Sequence, residues 1–142
     1  LIAFLIWGYL LPKISSSVKD AVKLIKLGLP IGYIILFTLI ILGEKAGVFL
    51  ITFYILTSIV LSLAQPAVAM KFPTNLAGKS LTSFNLLIFA GTFIMQWLMG
   101  LVIDIVKGMG HTEIFAFKSA FSVFLILSII SYIFFLILNK NE

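Results

Sequence analysis

The feature that most constrains this chain is a series of long apolar runs with almost no charge, separated by short polar breaks. The runs lie at roughly 27–42, 47–70, 80–103 and 114–138, with a shorter one at 1–11. A helix rises ~1.5 Å per residue and a hydrocarbon core is ~30 Å thick, so about 20 residues cross it. Composition agrees: 62% of the 142 residues are hydrophobic and 11% are charged, against about 25% charged in an ordinary soluble domain. A chain this apolar lacks the polar surface to cover a core in water, so the bilayer is its expected solvent. There every backbone polar group needs an internal partner, which leaves helices or closed barrels. Barrel strands read as short alternating segments; continuous runs predict helices. The expectation is an all-α integral membrane chain of four complete transmembrane helices plus a truncated one.

The breaks refine this picture. Leu1–Leu11 covers roughly half of a hydrocarbon core and starts in mid-run without methionine, so it reads as the tail of a helix. Pro12–Lys26 is a basic connector. Ser17 and Asp20 form a Ser-x-x-acid capping pattern. Val18, Ala21, Val22 and Ile25 then fall at helical spacing with Lys19, Lys23 and Lys26 between them. This predicts either a short amphipathic helix at the membrane surface or a solvated loop, ahead of a span beginning near Leu27. Pro30 is then a first-turn proline. Gly43–Ala46 reads as a tight turn, Lys71–Lys79 as a loop marked by Pro73, Asn75 and Gly78, and Asp104–Thr112 as a glycine-bearing loop. No loop is long enough for a soluble domain.

Successive spans alternate sides. The Pro12–Lys26 connector, the Lys71–Lys79 loop and the C-terminal tail therefore share one side, which carries seven of the ten lysines; Lys45, Lys107 and Lys118 are on the other. Lysine excess marks the cytoplasm. The expected location is the plasma (inner) membrane with a cytoplasmic C-terminus.

Two polar stripes are candidate sites. Tyr54, Ser58, Ser62 and Gln65 fall within about 80° of one another at 100° per residue. They read as a substrate cavity or as a helix–helix contact in which serine and glutamine bond between helices. Pro66 follows directly and is placed to kink the helix. Asn85, Thr92 and Gln96 fall within about 40° and need a water-filled path or a neighbouring helix, because an unsatisfied amide in hydrocarbon is costly. Gly91 and Gly100 add surface for close packing. Asp104, at the end of the third run, is expected to be structural and paired with Lys107 or Lys118. No charge falls in mid-run, where proton relays usually show one.

Other classes of function find no support. The chain has no cysteine and one histidine, His111, which leaves neither a thiolate nor a histidine metal site; no metal or cofactor is expected. It has no arginine and only scattered lysines, so nucleic acid is not an expected partner. No nucleophile–base pair, phosphate loop or carboxylate dyad is visible, and Ser15–Ser17 reads as a turn and cap. The chain is not expected to be an enzyme.

Phe72-Pro73, Gly78-Lys79, Asn85, Gly91, Gln96-Trp97, Gly100 and Ile103-Asp104 together resemble the tenth-to-eleventh helix region of major facilitator superfamily transporters. Phe115, Ala116, Ala120 and Phe121 resemble the start of the helix that follows. The resemblance covers about Leu1–Leu138 and is strongest over Phe72–Phe121. It departs at the loop between helices eight and nine, which often reads Gly-x-x-x-Asp-Arg-x-Gly-Arg. Here Gly8 is followed by Pro12, Lys13 and Ser15, so that charge relay is absent or degenerate. The resemblance implies part of the second half of a two-half bundle, from the end of helix eight through helix twelve, with the missing N-terminal half of the same protein as a partner. It implies a secondary transporter of a small polar solute working by alternating access, with a coupling ion as a further partner. Tyr54, Ser58, Ser62 and Gln65 would be cavity residues; Asn85, Thr92 and Gln96 would be interface or cavity-rim residues. The rival readings are a non-transporting helical subunit or assembly factor and, less favoured, a membrane-embedded enzyme.

Overall fold

A computed structural model describes residues 18–139. Its helices are α1 (Val18–Leu42), α2 (Val48–Ser58), α3 (Ala64–Lys71), α4 (Thr74–Gly108) and α5 (Glu113–Leu138). A 3-10 turn, Gly43–Lys45, follows α1, and a 3-10 stretch, Ile59–Leu63, joins α2 to α3. Together they make four helical runs long and apolar enough to cross a membrane: Val18–Lys45, Val48–Lys71, Thr74–Gly108 and Glu113–Leu138. No strand occurs among the described residues. The expected half-span at 1–11, most of the connector, Ser17 and Lys140–Glu142 lie outside them.

The first span begins earlier than expected. Val18–Lys26 is continuous with the rest of α1 instead of forming a separate surface helix or loop. The amphipathic spacing is real, but its apolar face is spent inside the bundle. Ala21 and Ile25 pack with Val60, Leu63 and Ala67 of the second run, and Phe135 of α5 lies against the same cluster. Pro30 is consequently in the helix interior and not in its first turn. A proline there has no N–H to give the carbonyl four residues back, which is that of Lys26. The Tyr132 hydroxyl of α5 donates to the Lys26 carbonyl at 2.7 Å.

Gly28 and Gly32 lie one turn apart on α1 and set its approach to α2. A Cβ at Gly28 would sit 3.0 Å from Val60 Cγ1, and one at Gly32 would sit 3.4 Å from Thr57 Oγ1. This is the small-xxx-small pattern that lets membrane helices pack backbone to backbone.

The other boundaries also move. The expected Lys71–Lys79 loop shrinks to Phe72-Pro73. Pro73 precedes α4, where its missing N–H costs nothing, and its carbonyl accepts from the backbone N–H groups of Leu76 at 2.8 Å and Ala77 at 3.0 Å. Asn75, Gly78 and Lys79 are helical. At the far end α4 runs through Asp104 to Gly108. It stops where Gly110 adopts φ +85°. The Gly110 N–H reaches the Lys107 carbonyl at 2.9 Å and the His111 N–H reaches that of Val106 at 3.4 Å. That pair of bonds is a Schellman closure, which needs a left-handed residue. Thr112 then caps α5, its hydroxyl accepting from the Phe115 N–H at 3.4 Å.

α1 packs against both the second run and α5, whereas α4 touches α3 and α5. α4 has 35 residues and none is buried. At ~1.5 Å per residue it is ~52 Å long, well beyond a ~30 Å hydrocarbon core, so in a bilayer it tilts or projects.

Candidate functional site

α1 and α5 are antiparallel and joined by crossed polar contacts. Tyr33 of α1 donates to the Ser128 carbonyl at 3.2 Å, and Tyr132 of α5 returns the contact through the Lys26 carbonyl. The two tyrosine rings meet edge to face at 5.7 Å. At one end Lys26 Nζ donates to the Asn139 carbonyl at 2.7 Å, and at the other Lys118 Nζ donates to the Ile41 carbonyl at 2.8 Å. Each lysine thus caps the C-terminal end of the opposite helix, where carbonyls lack intrahelical donors and the helix dipole is negative.

Beside this pair lies a cleft of ≈ 440 Å³, bordered by Leu29 and Tyr33 of α1, Leu61 and Ala64 of the second run, Met95 of α4 and Ser128 of α5. A smaller cleft of ≈ 80 Å³ adjoins it, where Tyr54, Thr57 and Ser58 meet Tyr33 and Ser128. No Asp, Glu, Lys or His lines either. Their polar character comes from hydroxyls, several already committed to carbonyls. Ser58 and Thr57 both donate to the Tyr54 carbonyl, at 2.8 and 2.9 Å.

The stripe Tyr54, Ser58, Ser62, Gln65 is divided by the structure. Tyr54 and Ser58 border the small cleft, whereas Ser62 and Gln65 are exposed and border neither. The intervening stretch Ile59–Leu63 is a 3-10 helix. Such a helix turns ~120° per residue instead of ~100°, so five residues add ~100° of rotation. Pro66 explains the tightening: it offers no N–H to the Ser62 carbonyl and its ring crowds the preceding turn.

Gln65 is turned to α4, where its Nε2 donates to Asn85 Oδ1 at 2.6 Å. The two stripes therefore meet at this amide pair. Thr92 is exposed and bonds back to the Ile88 carbonyl at 2.8 Å; Gln96 is exposed. Asp104 pairs with neither expected lysine. It is exposed, Lys107 instead meets Glu113 at 3.4 Å, and Lys118 is turned to Ile41. Lys118 is engaged by the open carbonyl end of α1 and Lys107 by the first turn of α5, so neither is directed at Asp104.

Tyr33, Thr57, Ser128 and Tyr132 were not singled out from the sequence. Two signals for them were present. Gly28-x-x-x-Gly32 marks the face of α1 that approaches α2, and Pro30 implies an orphan carbonyl that some donor must answer. Among the described residues no three His, Asp or Glu side chains converge to hold a metal ion. Protein-family models, curated proteins and solved structures were all compared with this chain, and none matches it.

Proposed function

We propose that the chain is a membrane-inserted part of a secondary transporter, carrying a small polar solute by alternating access. The observation that carries this reading is the placement of Ser62, Gln65, Thr92 and Gln96. All four are exposed on apolar, span-length helices. Lipid offers such groups no hydrogen bonds, so they belong against water or against further helices. The break in the second run, at Ile59–Leu63 and Pro66, is irregular backbone of the kind membrane proteins keep where a helix is buried in protein or lines a cavity. The likeness to the major facilitator superfamily over Phe72–Phe121 suggests the transport chemistry, the missing N-terminal half of the same protein as partner, and a coupling ion. The seven-to-three lysine split supports a cytoplasmic C-terminus in the plasma (inner) membrane.

The chain has no cysteine, so single cysteines report cleanly. In cells expressing the full-length protein, Ser62→Cys, Gln65→Cys, Thr92→Cys and Gln96→Cys react with small water-soluble thiol reagents, and Phe49→Cys and Leu86→Cys do not. Lys79→Cys is protected from an impermeant reagent added outside. Protection of all four polar positions would remove the hydrated pathway. The chain would then be read as a non-transporting helical subunit, a reading favoured by the Gln65–Asn85 bond, in which two helices satisfy each other's amides.

A further inference from the structure

At the end of the bundle that carries the Gly43–Ala46 and Met109–Thr112 turns, a cleft of ≈ 480 Å³ opens between α1, α2 and α5. Its walls are apolar, formed by Leu36, Ile40, Ile51, Phe117 and Phe121. The charged residues that border it are Glu44 and Lys118. Glu44 is exposed, and among the described residues it is not ion-paired with Lys118 or any other cation. Lys118 spends one ammonium proton on the Ile41 carbonyl, which leaves two donors for a ligand. Gly43 holds this arrangement. It has φ +56°, which favours glycine, and a Cβ there would lie 2.5 Å from Lys118 Cε, so any side chain would push the lysine stem off the turn. Lys118 is five residues from the start of α5, about 8 Å along the axis. A lysine this close to the end of a span-length helix reaches the membrane interface by extending its stem.

We propose that this cleft binds a zwitterionic aminophospholipid of the phosphatidylethanolamine class. An acyl chain lies on the apolar wall, the phosphate meets the Lys118 ammonium, and the lipid ammonium meets the Glu44 carboxylate. The two charges select the headgroup. A phosphatidylglycerol would satisfy Lys118 through the same phosphate but would bring a neutral glycerol to Glu44, leaving that carboxylate without a cation. A free headgroup without chains would forgo the apolar contact that the cleft supplies. Partial removal of Lys118 from water strengthens its pairing with the phosphate relative to bulk solvent. The site is independent of the transport reading, since it needs only insertion in a bilayer.

Native mass spectrometry of the purified full-length protein, with phosphatidylethanolamine and phosphatidylglycerol of the same chains added at equal concentration, tests this. The wild type should retain phosphatidylethanolamine with about tenfold preference, equivalent to ~1.4 kcal/mol. Glu44→Gln should bring the ratio close to one. Lys118→Gln keeps a donor for Ile41 and should weaken both lipids. Glycerophosphoethanolamine, the same headgroup without chains, should not displace the lipid. If Lys118→Gln gives no melting transition, the Glu44→Gln ratio alone decides. Equal retention of the two lipids by wild type, an unchanged preference in Glu44→Gln, or displacement by the chain-free headgroup would each overturn the assignment.

Discussion

The α1–α5 pair and the α4 helix are built from similar residues and finished very differently. Along α1–α5 the helix ends and the proline gap are answered from the opposite helix, by Lys118 at Ile41, Lys26 at Asn139 and Tyr132 at Lys26, and Tyr33 adds a mid-helix bond to Ser128. On α4, Gly78, Gly91 and Gly100 have nothing within 4 Å of where a Cβ would be, and Phe89, Phe93 and Trp97 are exposed. Glycine and polar residues on a membrane helix do not by themselves identify a contact. In α1 they are consumed by a neighbour; in α4 the glycines and Gln96 are presented outward, and among the described residues Asn85 alone of its polar stripe is met by another helix.

The sharpest way to break this contrast is the same substitution on each side. Gly28→Leu drives a side chain into Val60 and should destabilise the purified protein in detergent by about 2–3 kcal/mol, read from its denaturation midpoint. Gly91→Leu should be neutral or slightly stabilising, because it removes glycine from a helix and meets open space. Equal losses would mean that α4 is packed as tightly as α1 by something other than the described residues.

The second test concerns the proline gap. Tyr132→Phe leaves the Lys26 carbonyl without its donor and should cost about 1–2 kcal/mol. Pro30→Ala restores a backbone N–H for that carbonyl, so the loss on Tyr132→Phe should shrink in the Pro30→Ala background. A double-mutant cycle checks this; additive effects would mean that the tyrosine contributes by ring packing alone.

A smaller effect is expected at the one amide bond joining the two polar stripes. The Gln65→Leu and Asn85→Leu cycle should give a coupling of about 0.6 kcal/mol, the usual size of such bonds between membrane helices. Smaller still, Lys107→Gln should change stability by less than about 0.5 kcal/mol. Its partner Glu113 is 66% exposed, and surface ion pairs contribute little. Asp104→Asn should be equally silent in stability, since no lysine holds it.

The sequence alone determined the all-helical class and the four span-length runs. Both depend on segment-local physics: a long apolar run can satisfy its own backbone only as a helix. It also located the polar residues and the breakers, Pro30, Pro66 and Pro73. What each breaker does was settled by tertiary structure. Pro73 ends one helix and starts the next, Pro30 is absorbed because a tyrosine about a hundred positions away fills its gap, and Pro66 tightens the turn before it. That tightening separates Tyr54 and Ser58 from Ser62 and Gln65, because a stripe drawn at 100° per residue holds only while the helix stays α. The Gly110 closure, not Asp104, ends α4, and the buried face of Val18–Ile25 extends α1. The fate of Pro30 and the burial of Val18–Ile25 rest on contacts between residues distant in the chain, which periodicity and composition do not encode; the Pro66 and Gly110 outcomes are local, but a reading at a uniform 100° per residue passes over them.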